Sequence, residues 1–344
     1  MNEWTSLLKA DLTNWLTEEE NPSVRYFTLR DILDKPEIDS DVQKAKREIM
    51  QYGMVPEILR KQREPAYIES YPKFYTDKYK GLVWQLIALA EMGAEVNPQI
   101  TEQCEYLFKN SQETEDGGFA INTSAKKGGG RITEVIPCLT GNLIRSLICF
   151  GYIDDPRLQQ AIHWVTNYMR INDGIENDPQ NPPYDRLEMC WGKHTCFMGA
   201  VKVLKGLSAI PQEKRTGEVN DTINKIVEFI LIHHVYKQSH NLSKTSKPGW
   251  LKFGFPLMYQ TDVLEIADIL TELGIHDSRM DDAINLIISK QDEMGRWHNE
   301  NTTITDSLLI PPEKQGEQSK WITLRAIRVL KRYYLFNTIH SKRN

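Results

Sequence analysis

Small and apolar residues recur at helical spacing in six stretches of the chain: Val24 to Leu33, Leu82 to Met92, Gly141 to Phe150, His194 to Leu207, Asp262 to Leu273 and Trp321 to Leu330. In each, apolar positions run almost all the way round a 3.6-residue helix, which predicts helices buried on nearly every side. Four of the stretches sit about 55 to 65 residues apart, and such a period marks a repeat architecture. Gly93, Gly151 and Gly274 fall where a left-handed C-cap is needed, and Pro211 follows the fourth stretch. A second helix with one wet face follows most turns, at Thr101 to Lys109, Pro156 to Met169, Val219 to His233 and Met280 to Lys290. The pattern predicts one all-α domain over residues 1–344: an (α/α)6 toroid of six helix pairs, with the apolar helices as inner ring around a central cavity.

The loops between pairs echo one another. Gln112-Glu113-Thr114-Glu115-Asp116-Gly117-Gly118-Phe119 and Gln291-Asp292-Glu293-Met294-Gly295-Arg296-Trp297 both run from glutamine through acidic residues to glycine, one residue, then an aromatic, and Asn172-Asp173-Gly174-Ile175 is a degenerate copy. An acidic-glycine turn needs no chemistry to explain it, so these loops speak for fold: the glutamine caps, the glycine turns and the aromatic plugs a gap.

Composition narrows the function. With 42 Lys and Arg against 47 Asp and Glu, the formal charge is -5 and the cations are scattered, which argues against a nucleic-acid partner. No apolar run approaches the roughly 18 residues of a membrane span, and Met1-Asn2-Glu3-Trp4 lacks a secretion signal, so a cytoplasmic protein is expected. Five cysteines, Cys104, Cys138, Cys149, Cys190 and Cys196, are an odd number in a large chain and argue against a disulfide framework.

In a ring of inner helices, the helix starts line one mouth of the cavity and bring partial positive charge from their dipoles. The third inner helix is introduced by the segment from Gly128 to Cys138 and the fourth by the segment from Cys190 to Phe197. Pro137 suits a first helical turn, which puts Cys138 in or beside it. Adjacent starts are neighbours, so Cys138, Cys190 and His194 can converge as two thiolates and an imidazole, the ligand set of a zinc site with an open fourth position. Cys196, two residues farther along, points elsewhere, and free cysteines also serve simply as core. If zinc is bound, Glu188 or Glu134 is close enough in sequence to orient His194.

The glutamine-to-aromatic loops resemble the QW motif of the triterpene cyclase and protein prenyltransferase superfamily. His194-Thr195-Cys196-Phe197 resembles the segment carrying the zinc histidine of protein prenyltransferase β subunits, and Gly129-Gly130-Arg131 resembles the segment preceding their zinc cysteine. The resemblance implies Cys138 and His194 as ligands, Arg131 as a diphosphate contact, and a possible second subunit. Ile136 stands where that family has its ligand aspartate, and Cys190 is the replacement; two cysteines and a histidine on such a fold are also similar to lanthionine cyclases.

Aromatic residues gather near helix starts and loops: Tyr75, Tyr79, Trp84, Trp191, Trp250, Phe255, Tyr259, Trp297 and Trp321. They suit an isoprenoid or other apolar ligand, or else wedge helices together. Asp262, after Tyr259-Gln260-Thr261, is either an N-cap or a cavity carboxylate; with Tyr259 it is the catalytic candidate. Arg131, Lys193 and Trp191 are the candidates for holding the ligand. The segment from Lys237 to Lys252 is the longest irregular polar stretch, a solvated loop or a lid. No acidic run of a class II cyclase, phosphate loop, dinucleotide fingerprint or nucleophile elbow is present. The expected function is a zinc-dependent enzyme, of a prenyl- or alkyl-transfer type, acting on a hydrophobic or thiol-bearing small molecule or peptide. The alternatives are a non-catalytic binding toroid and a carbohydrate-active α/α barrel, for which Asp116, Glu134 and Asp262 are the nearest carboxylates.

Overall fold

The computed structural model describes residues 3–174, 181–192, 194–301 and 308–341, with side chains described from residue 4 to 335. It is mostly helical. The principal helices are α1 (Pro22–Phe27), α2 (Ser40–Glu48), α3 (Met54–Lys61), α4 (Leu82–Glu91), α5 (Pro98–Asn110), α6 (Pro137–Cys149), α7 (Pro156–Tyr168), α8 (Phe197–Ser208), α9 (Gly217–Ile232), α10 (Val263–Glu272), α11 (Asp281–Ser289) and α12 (Lys320–Ser341). By their contacts the described residues divide into two compact units, one of residues 1–58, 230–257 and 261–344, the other of residues 59–229 and 258–260.

Helix starts follow local chemistry. Asn97 and Asp155 accept from the backbone N–H groups of Ile100 (2.9 Å) and Arg157 (2.8 Å), and each is followed by a proline at the first helical position. Apolar helices are ringed by protein, as the pattern predicts: every residue of α4 from Leu82 to Ala90 is buried. Amphipathic helices pack beside apolar ones in the pairs α4 with α5, α6 with α7, and α10 with α11. Two boundaries move. The first apolar stretch breaks after Phe27 into a π-helical turn, Thr28–Ile32, and the fourth begins at Phe197 because Cys196 is extended, which leaves His194 off the helix.

In the second unit, α6 and α8 cross at backbone contact. A Cβ on Gly141 would lie 2.3 Å from the Lys202 carbonyl oxygen, and one on Gly206 would lie 2.5 Å from the Gly141 carbonyl oxygen. Only glycine permits that approach. At the helix starts a Cβ on Gly199 would sit 3.3 Å from Pro137 Cβ and 3.5 Å from Cys196 Sγ, so the crossing also brings the thiol-bearing ends together.

The first unit is organised around α12. Arg328 bridges the buried Asp268 on α10 (2.6 Å) and Asp31 in the π-helical turn (3.0 Å), and Arg332 adds a second contact to Asp268 (3.0 Å). Burial pushes Asp268 up, yet the guanidiniums of Arg328, Arg332 and Arg325 outweigh it and hold the carboxyl below its ordinary value. Lys331 Nζ donates to the carbonyls of Asp31 (2.9 Å) and Ile32 (3.0 Å), satisfying the end of that turn. In the same unit the segment expected to be irregular is a small hairpin, β1 (Lys237–Gln238) antiparallel to β2 (Asn241–Thr245), tied to α11 by a Lys237 contact to Asp282. Its lysines Lys244 and Lys247 are exposed.

The two glutamine-to-aromatic loops do the same mechanical work. Gln112 donates to the carbonyls of Gly117 (2.9 Å) and Arg157 (2.6 Å); Gln291 donates to the carbonyl of Leu7 (3.0 Å) and accepts from Lys9 N (3.1 Å). Phe119 and Trp297 are fully buried, and their backbone N–H groups donate to Thr140 and Thr323, each at 3.0 Å, in the first turn of α6 and of α12 respectively. The loops thus fix where the next apolar helix begins.

Gly141→Ala is expected to cost roughly 1–3 kcal/mol, because the methyl group must push two backbones apart. Urea unfolding of the variant beside wild type reads that cost as a fall in midpoint, and an unchanged midpoint would show that the crossing is slack.

Candidate functional site

The segment before α4 carries Tyr75, Lys78 and Tyr79, and α4 itself carries Trp84 one turn in. These rings are not loosely placed. Trp84 Nε1 donates to the Tyr75 carbonyl (2.9 Å), Gln85 Nε2 donates to the Tyr79 carbonyl (2.9 Å), and Gln260 contacts the Tyr79 hydroxyl. Asn142 on α6 donates to the Met258 carbonyl (3.0 Å) and so pins residues 258–260 against the same helix starts. The result is a four-ring cluster. Ring centroids lie 4.7 Å apart for Tyr75 and Trp84, 5.3 Å for Tyr79 and Trp84, 6.1 Å for Tyr79 and Tyr259, and 6.2 Å for Trp84 and Tyr259. These are favourable tilted and edge-on spacings.

Thiols border the rings. Pro137 opens α6, and Cys138 beside it is buried; Cys190 is half-buried in the short helical turn Glu188–Trp191; Cys196 is half-buried as the N-cap of α8. Burial pushes the Cys138 thiol up, with the nearby Cys190 and Cys196 adding to it, and burial with Cys196 pushes Cys190 up to about 12. The Tyr75 hydroxyl is raised by burial and then by Cys138, Tyr259 and Cys190. Cys138, Cys190 and Tyr75 therefore keep their protons at neutral pH, since a new negative charge there lacks solvation. One cation works against this: Lys202, fully buried on α8, lowers Cys138 by less than burial raises it.

The candidate residues fall into separate groups. Cys138, Cys190 and Tyr259 share the cluster. His194 does not lie on α8; it is exposed, bridges Asp173, and its ring covers Gly174, where a Cβ would lie 2.2 Å from His194 Cε1. Among the described residues no group of three or more His, Cys, Asp and Glu side chains is placed to hold a metal ion. Arg131 is exposed and turned to Glu134 (2.6 Å) within its own loop, and Glu134 also accepts from Asn122 (2.9 Å). Trp191 is buried edge-on against Trp164 (5.8 Å) and Tyr184 (5.4 Å), a packing position. Lys193 lies outside the described residues.

Asp262, in the first unit, is the N-cap of α10. Its carboxylate accepts from Glu265 N (2.7 Å) and Gly254 N (3.0 Å) while fully buried, and burial, opposed by those two donors, pushes it up to about 7. Two cluster members escape a reading of the sequence. Lys202 has one signal, a charged residue at a buried position of an apolar helix; Lys78 has none, since a lysine in a polar loop is ordinary.

No family model matches the sequence, and the search of curated proteins found no match. Among solved structures, the chain is similar to the type II terpene cyclase MstE from Scytonema, determined in complex with its product merosterolic acid A. The two share 10% identity over 84% of this chain and 99% of that one, with a TM-score of 0.29. Among the described residues no helix is long and apolar enough to cross a membrane.

Because the folded pKa of Asp262 lies above the unfolded value near 4, the folded state binds the extra proton between about pH 4 and 7. This contribution is present at low pH and lost as pH rises through about 7, with a slope of at most roughly 1.4 kcal/mol per pH unit. Asp262→Asn keeps the cap and cannot titrate. Urea unfolding from pH 5 to pH 7.5 should show wild type losing stability relative to the variant, and parallel curves would mean that Asp262 stays ionised.

Proposed function

We propose that the chain is an enzyme acting on a hydrophobic or thiol-bearing small molecule held against the Tyr75, Tyr79, Trp84 and Tyr259 rings, beside the thiols of Cys138 and Cys190. One observation carries this reading: four aromatic rings, from the start of α4 and the 258–260 segment, gather beside three cysteines at or just before the starts of α6 and α8, on supports that fix the rings in place. Rings of this kind bring apolar area for a hydrocarbon ligand, and their faces stabilise positive charge developing on it. The cyclase and prenyltransferase resemblance of the sequence points to the same substrate class.

The chemistry available to the chain's own residues follows from their protonation. Cys138 and Cys190 are neutral thiols, so transfer of an alkyl group from a prenyl diphosphate to sulfur at this site requires the thiol proton to pass to solvent as the carbon–sulfur bond forms and the bond from carbon to the departing diphosphate breaks. Lys202 favours that step by opposing the burial penalty at Cys138. Arg131 is engaged by Glu134 and supplies no anion site at the rings.

Titration with farnesol, followed by tryptophan fluorescence, tests the reading. Wild type should bind, Trp84→Phe should lose most of the signal change, and Tyr259→Ala should weaken binding about ten-fold or more; no saturable response in wild type would sink the proposal. Turnover of farnesyl diphosphate, with and without a low-molecular-weight thiol, then separates an enzyme from a non-catalytic binder.

Zinc is a separate question, with a separate measurement. Cys138, Cys190 and Cys196 would be the residues to hold a zinc ion, as thiolates, although no three His, Cys, Asp or Glu side chains of the described residues are placed to do so. Metal content of tag-free protein is expected to be the same in wild type and His194→Ala, because His194 stands on Gly174. Zinc present in wild type and lost in both Cys138→Ala and His194→Ala would restore the histidine as a ligand.

A further inference from the structure

Lys78 sits over the aromatic cluster in an unusual way for a lysine in an exposed loop. Its Nζ lies 4.6 Å from the Tyr259 ring centroid and 5.3 Å from that of Tyr75, and among the described contacts of its side chain there is no carboxylate. The ammonium is thus drawn to ring faces alone. Behind those two rings stand Trp84, 4.7 Å from Tyr75 and 6.2 Å from Tyr259, and Tyr79, 6.1 Å from Tyr259. Two electron-rich ring faces meet the positive charge and two more rings back them, and together they form an aromatic box open on the side of Lys78.

We infer that this box is a binding site for an organic cation, a quaternary ammonium or sulfonium group, and that the Lys78 ammonium is its resident occupant, displaced when the ligand enters. The inference rests on the cluster being the substrate site and names the charge that the substrate carries. Two physical points separate the ligand from the lysine. A primary ammonium is compact and strongly hydrated, so it returns to water at little cost, and the exposed loop of Lys78 leaves it room to do so. An alkylated cation is larger and weakly hydrated, spreads its charge over methyl groups that touch several rings together, and loses less on leaving water.

The box is also preorganised for this. Hydrogen bonds from Trp84, Gln85 and Asn142 hold the backbone of the rings, so the ring faces need no ordering when a cation arrives. No carboxylate of the described residues is paired with Lys78, which leaves the rings themselves as the attraction. Buried thiols beside the box are neutral and add no competing anion.

The test is an NMR titration of the full chain with choline and with its uncharged isostere 3,3-dimethylbutan-1-ol, in wild type, Lys78→Ala and Tyr259→Leu, with circular dichroism melting to confirm that each variant is folded. Choline should bind wild type at least ten-fold more tightly than the isostere. Lys78→Ala should tighten choline by about two- to five-fold, the range set by removing one exposed cation–π contact, and should tighten the isostere by no more than that, since it must displace the same ammonium. Tyr259→Leu, apolar but without a ring, should lose the preference. Equal binding of the two probes would overturn the cation inference while leaving an apolar substrate site in place. Choline binding that Lys78→Ala leaves unaltered would remove the resident-cation role, and failure of choline to bind either protein, with farnesol still binding, would overturn the inference alone.

Discussion

The contact on which the candidate site depends is the crossing of α6 and α8. Two helices that meet through Gly141, Gly206 and the Lys202 backbone cannot slide, because any side chain at the crossing would drive into a carbonyl. With the axes locked, the helix starts are locked too, and Pro137, Cys138, Cys196 and Gly199 become neighbours. Asn142, one residue after the crossing glycine, extends the same constraint to residues 258–260. Glycine's conformational entropy cost is offset by the packing of two apolar helices at a distance that no other residue allows.

Around that crossing, the glutamine-to-aromatic loops act as spacers. Each turns the chain, buries an aromatic ring and hands a backbone N–H to a threonine in the first turn of the next apolar helix. The chemistry-bearing residues lie at helix starts, so these loops set the site's dimensions without touching it. Their acidic residues serve the turn: Glu113 accepts from the backbone of Glu115 and Asp116, and Asp292 from Met294 and Arg296.

Charge is treated differently in the two units. The first unit buries Asp268 among three guanidiniums, and they outweigh its desolvation. The second gathers thiols and phenols whose burial holds them neutral, with Lys202 as an opposing cation and Lys78 resting on ring faces. A site of that kind favours apolar groups and positive charge and resists new negative charge. The resemblance-derived diphosphate contact has no support at the rings, where Arg131 is committed to Glu134.

Much of the helical framework was legible in the sequence, because a stretch apolar on all sides has no stable place except the interior and a stretch with one wet face belongs beside it. Prolines marked the starts of α6 and α7, whereas α5 begins at Pro98, three residues before the expected Thr101, and the loop glutamines and aromatics were read as structural, which their hydrogen bonds bear out. Asp262 was legible as a cap but not as a carboxyl raised by burial, since that depends on what surrounds it. Tertiary structure alone decided which sulfur and nitrogen atoms meet. One extended residue, Cys196, stops α8 short of His194 and turns the imidazole onto Gly174, while the crossing of α6 and α8 brings Cys196 itself toward Cys138. Periodicity specifies faces of a helix; the position of a side chain one or two residues before its first turn is set by contacts between elements distant in sequence, and no local pattern encodes them.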